Sequence, residues 1–331
     1  MRGSDQHPGV NALELFCGIG GFAAAAAKTN IRIVGALDHN PVALNVYRLN
    51  FPDHDTCSAD LERIGAAALM DFRADLWWLS PPCQPYSVRG RYRDLDDPRA
   101  RSLARILSTF KEIPPERLPR HLVVENVAGF VRSQARELLT ALLTERGYQL
   151  REQLLCPTEL GVPSRRPRYY LVASRDALSP LQAGAPLPFQ PLRTFLDPAL
   201  NAKPPADLIV SPQVIARFGA GLRILDPVDS AAYTTCFTAA YGKSLMHAGS
   251  YLRCSSGVRR FAPEEIAALL HFPPTFRFPE ALSLRKRWHL LGNSLSVAAV
   301  REVLKALPGL NFPAFAAPAP PTALPFQPCG K

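Results

Sequence analysis

Apolar residues in the first half of the chain fall in short runs separated by longer stretches of mixed periodicity. Five runs are apolar at nearly every position: 12–16 (ALELF), 31–38 (IRIVGALD), 76–80 (LWWLS), 121–127 (HLVVENV) and 169–173 (YYLVA). Side chains alternate between faces along a strand, so a continuous apolar run predicts a strand buried on both faces. Between these runs, residues 22–29, 41–50, 101–111 and 134–146 carry helical patterning. Strand and helix in alternation predict an α/β fold with a parallel sheet covered on two sides, the nucleotide-binding type of architecture.

The texture changes at residue 180. Prolines stand at 180, 186, 188, 191, 198, 204 and 205. Each fixes φ and removes an amide donor, which predicts no regular helix in that stretch. A smaller domain is expected over about 193–260. Residues 261–272 (FAPEEIAALLHF) then predict a helix, with Glu264 and Glu265 near its start, where the helix dipole favours acids. Residues 294–307 (SLSVAAVREVLKAL) predict an amphipathic helix that packs back on the sheet. Residues 308–331 carry seven more prolines and a single charge, Lys331, and are expected to be irregular. The organisation expected is therefore a catalytic and cofactor-binding domain at 1–180, a small domain at 181–260, a return of the chain to the first domain at 261–307, and a Pro-rich tail at 308–331.

Composition narrows the partners. The 331 residues include 38 Lys+Arg against 28 Asp+Glu, a net charge of +10 that favours a polyanion. A hydrophobic content of 47% with 20% charged residues suits a globular core and excludes wholesale disorder. No apolar run approaches the roughly 20 residues of a membrane span. The start of the chain lacks the apolar stretch of a signal peptide, so a soluble, cytoplasmic protein is expected. The seven cysteines are scattered and never spaced C-x-x-C, and no H-x-x-x-H pair occurs. This argues against a disulfide scaffold and a four-ligand zinc site. No metal is expected, and the thiols are either buried filler or, for one or two, chemistry.

Two loops carry candidate chemistry. Residues 14–22 (ELFCGIGGF) join the first strand to the first helix, and Gly18, Gly20 and Gly21 allow a sharp turn and a close ligand approach. The spacing is G-x-G-G and not G-x-G-x-x-G, so a plain tight turn fits as well as a cofactor cradle. Asp38 ends the second strand eighteen residues after Gly20, where a carboxylate can take ribose hydroxyls. Asp60, after a third strand, is placed to meet an adenine amino group. Residues 80–87 (SPPCQPYS) follow the LWWL strand, and the prolines around Cys83 stiffen a side chain that must be aimed. A small hydrophobe in a stiff loop is the alternative. Glu125 and Asn126 end another apolar strand. Arg166 and Arg168 precede a strand two residues apart, on one face or as a solvated basic edge. Residues 89–105 hold six arginines and Tyr92, either a phosphate-binding cover over a substrate or a solvated loop.

The ordered set ELFCGIGG, Asp38, Asp60, SPPCQPYS, ENV, RRPRYY and LLGNSLSV (290–297) resembles the cytosine carbon-5 methyltransferases over about residues 10–307. The resemblance implies a Rossmann-like S-adenosylmethionine-dependent methyltransferase sheet with a small target-recognition domain. It implies that Cys83 adds to carbon 6 of cytosine, making carbon 5 able to attack a sulfonium methyl. A thiol near pKa 8.5 is only about 3% thiolate at pH 7, so cationic neighbours should help. Glu125 would hold ring N3 and the exocyclic amine, and Arg166 and Arg168 would orient the O2 edge and the catalytic residues. Asn126 would tie the proline loop in place. S-adenosylmethionine would be cradled by Phe16, Ile19, Gly20, Gly21, Asp38, His39, Asp60, Leu61, Ser80 and Ser294. The base that removes the carbon-5 proton is not identified, nor is the oligomeric state.

The partner implied is a nucleic acid with an extruded base. Residues 236–242 (CFTAAYG) and 271–279 (HFPPTFRFP) resemble the branch called DNA methyltransferase homologue two, whose members methylate an anticodon-loop cytosine of tRNA. That favours tRNA, with DNA as the alternative. Tyr86 stands where the family usually has Phe, and the recognition domain is short, as in bacterial restriction-type DNA enzymes.

Overall fold

The apolar runs become the inner strands of a seven-stranded sheet. In the computed structural model, which describes residues 9–87, 93–181 and 187–313, these are β1 (Val10–Leu15), β2 (Ile31–Asp38), β3 (Thr56–Ser58), β4 (Leu76–Leu79), β5 (His121–Val127), β6 (Gln149–Leu155) and β7 (Arg168–Ser174). The strand order is β3-β2-β1-β4-β5-β7-β6. Pairings among β1 to β5 are parallel, but β7 runs antiparallel to both β5 and β6. The expectation of a parallel sheet thus holds for the direction of six strands and fails for one, β7, which is reversed against both its neighbours. No helix longer than a 3-10 turn (Pro157–Leu160) separates β6 from β7, and a parallel return needs a longer crossover.

Helices α1 (Gly21–Ala26), α2 (Pro41–Asn50), α3 (Ala66–Asp71), α4 (Arg101–Glu112) and α5 (Gln134–Glu145) interleave with these strands. In α4, Leu103, Ile106, Leu107 and Phe110 are buried at i, i+3, i+4 and i+7, the stripe a sheet-covering helix needs. The two tryptophans of β4 point to opposite faces. Trp78 stacks on Phe22 of α1 at 4.9 Å, and Trp77 meets Phe110 of α4 edge-on at 5.8 Å. Each such ring withdraws about 150–250 Å² from water, worth roughly 4–6 kcal/mol. Caps set the helix starts: Asn40 accepts from Val42 and Ala43, and Ser133 from Arg136.

The chain divides into two units. The first holds the described residues up to Cys156, those from Pro167 to 181, and those from Ala298 to 313. It therefore includes nearly all of the last helix, α10 (Val297–Leu304). Arg301 of α10 donates to the carbonyls of Ala25 and Ala27 at 3.0 and 3.3 Å, covering acceptors that the end of α1 leaves open.

The second unit holds Pro157–Arg166 and the described residues from 187 to Val297. It contains α6 (Pro198–Ala202), α7 (Pro212–Phe218), α8 (Pro263–Leu269) and α9 (Leu284–Gly292). A three-stranded sheet of β8 (Ile224–Leu225), β9 (Tyr251–Cys254) and β10 (Gly257–Arg260) runs in the order β10-β9-β8. Its core is aromatic: Tyr241 packs edge-on against Phe237 and Trp288, and Phe237 against Phe261. Arg259 and Glu265, both fully buried, form a forked ion pair at 2.7 Å that also receives the amides of Asp197 and Ala262. Helix α6 corrects the expectation that the Pro-rich stretch holds no regular helix. Pro198 sits at its first turn, where a missing amide loses nothing, and the Asp197 carboxylate caps it.

Expectations for residues 1–8, for 88–92 of the arginine-rich segment, for 182–186 and for the tail from 314 onward lie outside the described residues. Among the described residues no helix is long and apolar enough to cross a membrane.

Candidate active site

The strand order reverses between β1 and β4, the place in an open α/β sheet where loops at the carboxyl ends part and leave a crevice. The glycine loop leaves β1 and the proline–cysteine loop leaves β4 at this point. Leu15 is in register with Leu79, and the Ser80 amide donates to the Leu15 carbonyl at 3.3 Å. Strands lie about 4.8 Å apart, so the end of β5, with Glu125 and Asn126, falls one strand beyond. The antiparallel β7 brings its first residue, Arg168, to this same edge.

The glycine loop is held by its own backbone and by Asp38. Phe16 adopts a left-handed φ of 61°, a region non-glycine residues seldom occupy. Gly20 has φ 87°, and a Cβ there would lie 2.4 Å from the Phe51 ring, so only glycine fits. The Asp38 carboxylate accepts the amides of Gly18 and Asn40, both at 2.8 Å. A carboxylate has about four lone-pair sites, so Asp38 keeps acceptor capacity for a hydroxyl pair. His39 is exposed, its Nδ1 3.5 Å from Asp38. Asp60 is exposed, accepts the Glu62 amide and faces Arg63 at 3.3 Å, while Leu61 is buried. It follows β3 by two residues and does not end it. Ile19, Gly20 and Gly21 are buried in the turn, and the Ser80 hydroxyl accepts from the Trp78 indole at 2.7 Å.

A residue the sequence reading passed over lies beneath this loop. Glu14 is 1% exposed and accepts the Tyr47 hydroxyl at 2.9 Å, which in turn meets His54 Nδ1 at 3.1 Å. Burial pushes its carboxyl up to about 8, against hydrogen bonds from Tyr47 and from the amides of Phe22 and Ala23 at the start of α1. The available signal was a lone carboxylate in a run read as buried on both faces. The folded state therefore favours the proton, so stability is complete below the ordinary value of 4.5 and falls as pH rises towards 8. The slope is at most about 1.4 kcal/mol per pH unit for one group. Thermal melts between pH 5 and 8 should show wild type losing stability and Glu14→Gln following a flatter profile. Parallel profiles would remove Glu14 as the source.

Cys83 begins a 3-10 turn (Gln84–Tyr86) closed by the Tyr86 amide on the Cys83 carbonyl at 3.1 Å. The thiol is half-buried and free of disulfide. The turn packs against another (Pro98–Ala100) that carries Arg99. Arg99 was not singled out in the sequence. Its guanidinium forks onto the buried Asp97 at 2.8 and 2.6 Å. That bond chiefly, and the Cys83 sulfur to a smaller degree, hold the guanidinium above its ordinary value, while Arg99 holds the Asp97 carboxyl down at about 2. A cavity of about 310 Å³ is lined by Arg93, Asp97, Pro98 and Arg99. Tyr86 is fully buried, edge-on to Phe130 at 4.7 Å, with its hydroxyl unbonded among the described residues.

Three side chains at the ends of β5 and β7 fix the loop and its neighbour. Asn126 donates to the Pro81 carbonyl at 3.2 Å, tying the proline loop to the sheet. Glu125 is buried, and Arg168 Nε lies 3.2 Å from its Oε1. Arg166 does not share a strand face with Arg168, because β7 starts at Arg168. It belongs to the second unit, 3% exposed, and donates to the carbonyls of Phe237 at 3.0 Å, Gly292 at 3.1 Å and Ser294, with the Cys236 sulfur at 3.2 Å. It thereby staples the CFT segment to the GNS segment. Their backbones touch: a Cβ on Gly292 would lie 2.3 Å from the Ala239 nitrogen. Ser294 is in this second unit, while the other nine residues expected around the cofactor are in the first.

A Gly-rich turn, a cysteine on a stiff proline loop and a carboxylate–arginine pair are ordered along one sheet edge. The chain belongs to the C-5 cytosine-specific DNA methylase family, whose sequence profile matches residues 10–197. It is 29% identical to the tRNA (cytosine(38)-C(5))-methyltransferase of Homo sapiens, over 90% of this chain and 99% of that protein. It is also 29% identical to the protein of that name from Schizosaccharomyces pombe, over 92% and 98%. The fold is similar to the crystal structure of the S. pombe Dnmt2 methyltransferase, with a TM-score of 0.78 at 27% identity, covering 89% of this chain and 97% of that one.

Proposed function

We propose that this protein transfers a methyl group from S-adenosylmethionine to carbon 5 of a cytosine in tRNA through a transient covalent bond to Cys83. The observation that carries the reading is the alignment of the glycine loop, the Cys83 loop and the Glu125–Arg168 pair along one carboxyl edge of the sheet. The residues fit the cofactor: Asp38 retains acceptor capacity for a ribose, Asp60 is an exposed carboxylate, and Gly18 has open space where a Cβ would stand. Bound S-adenosylmethionine supplies an electrophilic methyl on sulfur.

The protein's own residues do the rest. The Cys83 thiolate adds to carbon 6, with Arg99 as the nearby positive charge that favours it. Glu125, oriented by Arg168, holds N3 and the exocyclic amine as electron density moves into the ring. Carbon 5 takes the methyl, a base removes the carbon-5 proton, and the electron pair returns to expel the thiolate. Asn126 keeps the loop from drifting during these steps, because a misplacement of about 1 Å can cost a hundredfold in rate. Arg166 acts at a remove, fixing the CFT and GNS segments. The second unit is the target-recognition domain. Thiols outside any disulfide at the six described cysteines suit a reducing, cytoplasmic setting.

The family's description speaks of DNA, whereas the relatives above are named for tRNA. Labelled S-adenosylmethionine offered to total tRNA and to genomic DNA in parallel separates the two. Label in the tRNA fraction, lost on RNase treatment, is the expected result. Label confined to DNA overturns the substrate.

A further inference from the structure

Single apolar side chains at a protein surface are ordinary, but two of them near arginines that no carboxylate neutralises call for a partner. Phe218, at the end of α7, is 39% exposed, and Met246 is 36% exposed. Residues 219–221 continue α7 as one 3-10 turn with Phe218 as its cap. Gly221 ends that turn, three residues on from Phe218. Gly221 has no side chain, and the Met246 methyl fills the gap, 2.4 Å from where a Cβ would stand. The thioether thus lies beside the turn that Phe218 caps.

Two arginines flank this stretch of chain. The Arg217 guanidinium lies 5.1 Å from the Phe218 ring centroid. Two residues past Gly221, Arg223 lies over Tyr233 at 4.5 Å and donates to the Tyr233 carbonyl. Neither arginine is in a salt bridge among the described residues. Over residues 157–166 and 187–297 the sequence has fourteen Lys+Arg against eight Asp+Glu.

The partner that matches is anionic along its length and offers flat, unpaired rings. Single-stranded RNA does both: its bases stack on aromatic and guanidinium planes while its phosphates meet arginines outside any salt bridge. Duplex DNA keeps its base faces stacked internally and offers an exposed phenyl ring nothing to stack on. We infer that Phe218 and Met246, flanked by Arg217 and Arg223, form a stacking platform for an unpaired nucleotide of the RNA substrate other than the target cytosine. The inference rests on the tRNA reading above and names a further contact for that substrate.

Two measurements test it on the full chain. Filter binding of total tRNA at fixed salt should show Phe218→Ala weaker by about five- to 150-fold, since one stacked base is worth about 1–3 kcal/mol. Phe218→Trp should stay close to wild type, and duplex DNA affinity should move less than tRNA affinity. Ultraviolet crosslinking of wild type to 4-thiouridine-labelled tRNA should place adducts on the peptides holding Phe218 or Met246. Unchanged tRNA affinity in Phe218→Ala, or equal loss for tRNA and duplex DNA, overturns the platform, as do crosslinks mapping only to other peptides. If wild type methylates DNA and not tRNA, the substrate reading fails separately. The platform is then judged by binding of a short single-stranded RNA alone.

Discussion

Cys83→Ala is expected to lower methyl transfer by at least about a thousandfold, as loss of a covalent nucleophile does elsewhere, while S-adenosylmethionine still binds. Without the sulfur nothing adds to carbon 6, and carbon 5 of an intact cytosine ring is too weak a nucleophile to take a methyl. The scaffold should survive the change. The turn at residue 83 is closed by backbone, Tyr86 amide to Cys83 carbonyl, and its proline stem is held by Asn126. Cofactor binding measured by calorimetry and methyl transfer measured with label should therefore separate cleanly. A substrate carrying 5-fluorocytosine has no carbon-5 proton to lose, so wild type should stop as a covalent adduct on the peptide containing Cys83. Full activity in the variant, or an adduct on another residue, removes Cys83 from the chemistry.

The second large effect is one of stability. Arg166→Met should destabilise the protein by about 3–5 kcal/mol, because it leaves the carbonyls of Phe237, Gly292 and Ser294 without their donor in a buried site. Arg166→Lys should recover part of the loss at most, since an ammonium cannot fork between two chain segments as a guanidinium does. Urea unfolding followed by tryptophan fluorescence reads this out. Trp288, buried in the same unit, is a suitable reporter. A loss below about 1 kcal/mol in Arg166→Met would mean that the staple is dispensable.

Much of the sheet was legible in advance because burial on both faces leaves a continuous apolar record. The runs at 31–38 and 121–127 are β2 and β5 to the residue, and Pro41–Asn50 is α2. The edge strand left no such record. β6 lies at the edge, with Gln149, Arg151 and Glu152 among its seven residues, and its apolar alternation is too broken to read. Helix α9 was missed for a similar reason: Arg285, Lys286 and Arg287 follow one another, and only Trp288, Leu290 and Leu291 are buried.

At the candidate site, the motifs single out loops but not what holds them. The partners of Arg166 lie 70 to 128 residues further along the chain, beyond any spacing rule. The ion pair of Arg168 with Glu125 depends on β7 running antiparallel, the one feature of the sheet that was expected otherwise. Glu14 and Arg99 stand out through burial and proximity, which composition does not encode.

The route of the chain bears on how the protein is made. Strands β1 to β6 emerge from the ribosome first, but α10, whose Arg301 covers the end of α1, is among the last described segments to appear. Domains fold as units while synthesis proceeds at about 5–20 residues per second. The nascent first unit must therefore wait on the order of ten seconds, with its α1 terminus bare, while the second is threaded out. A ribosome stalled near residue 290 would carry a sheet short of its final helix, a species that chaperones would meet before any substrate does.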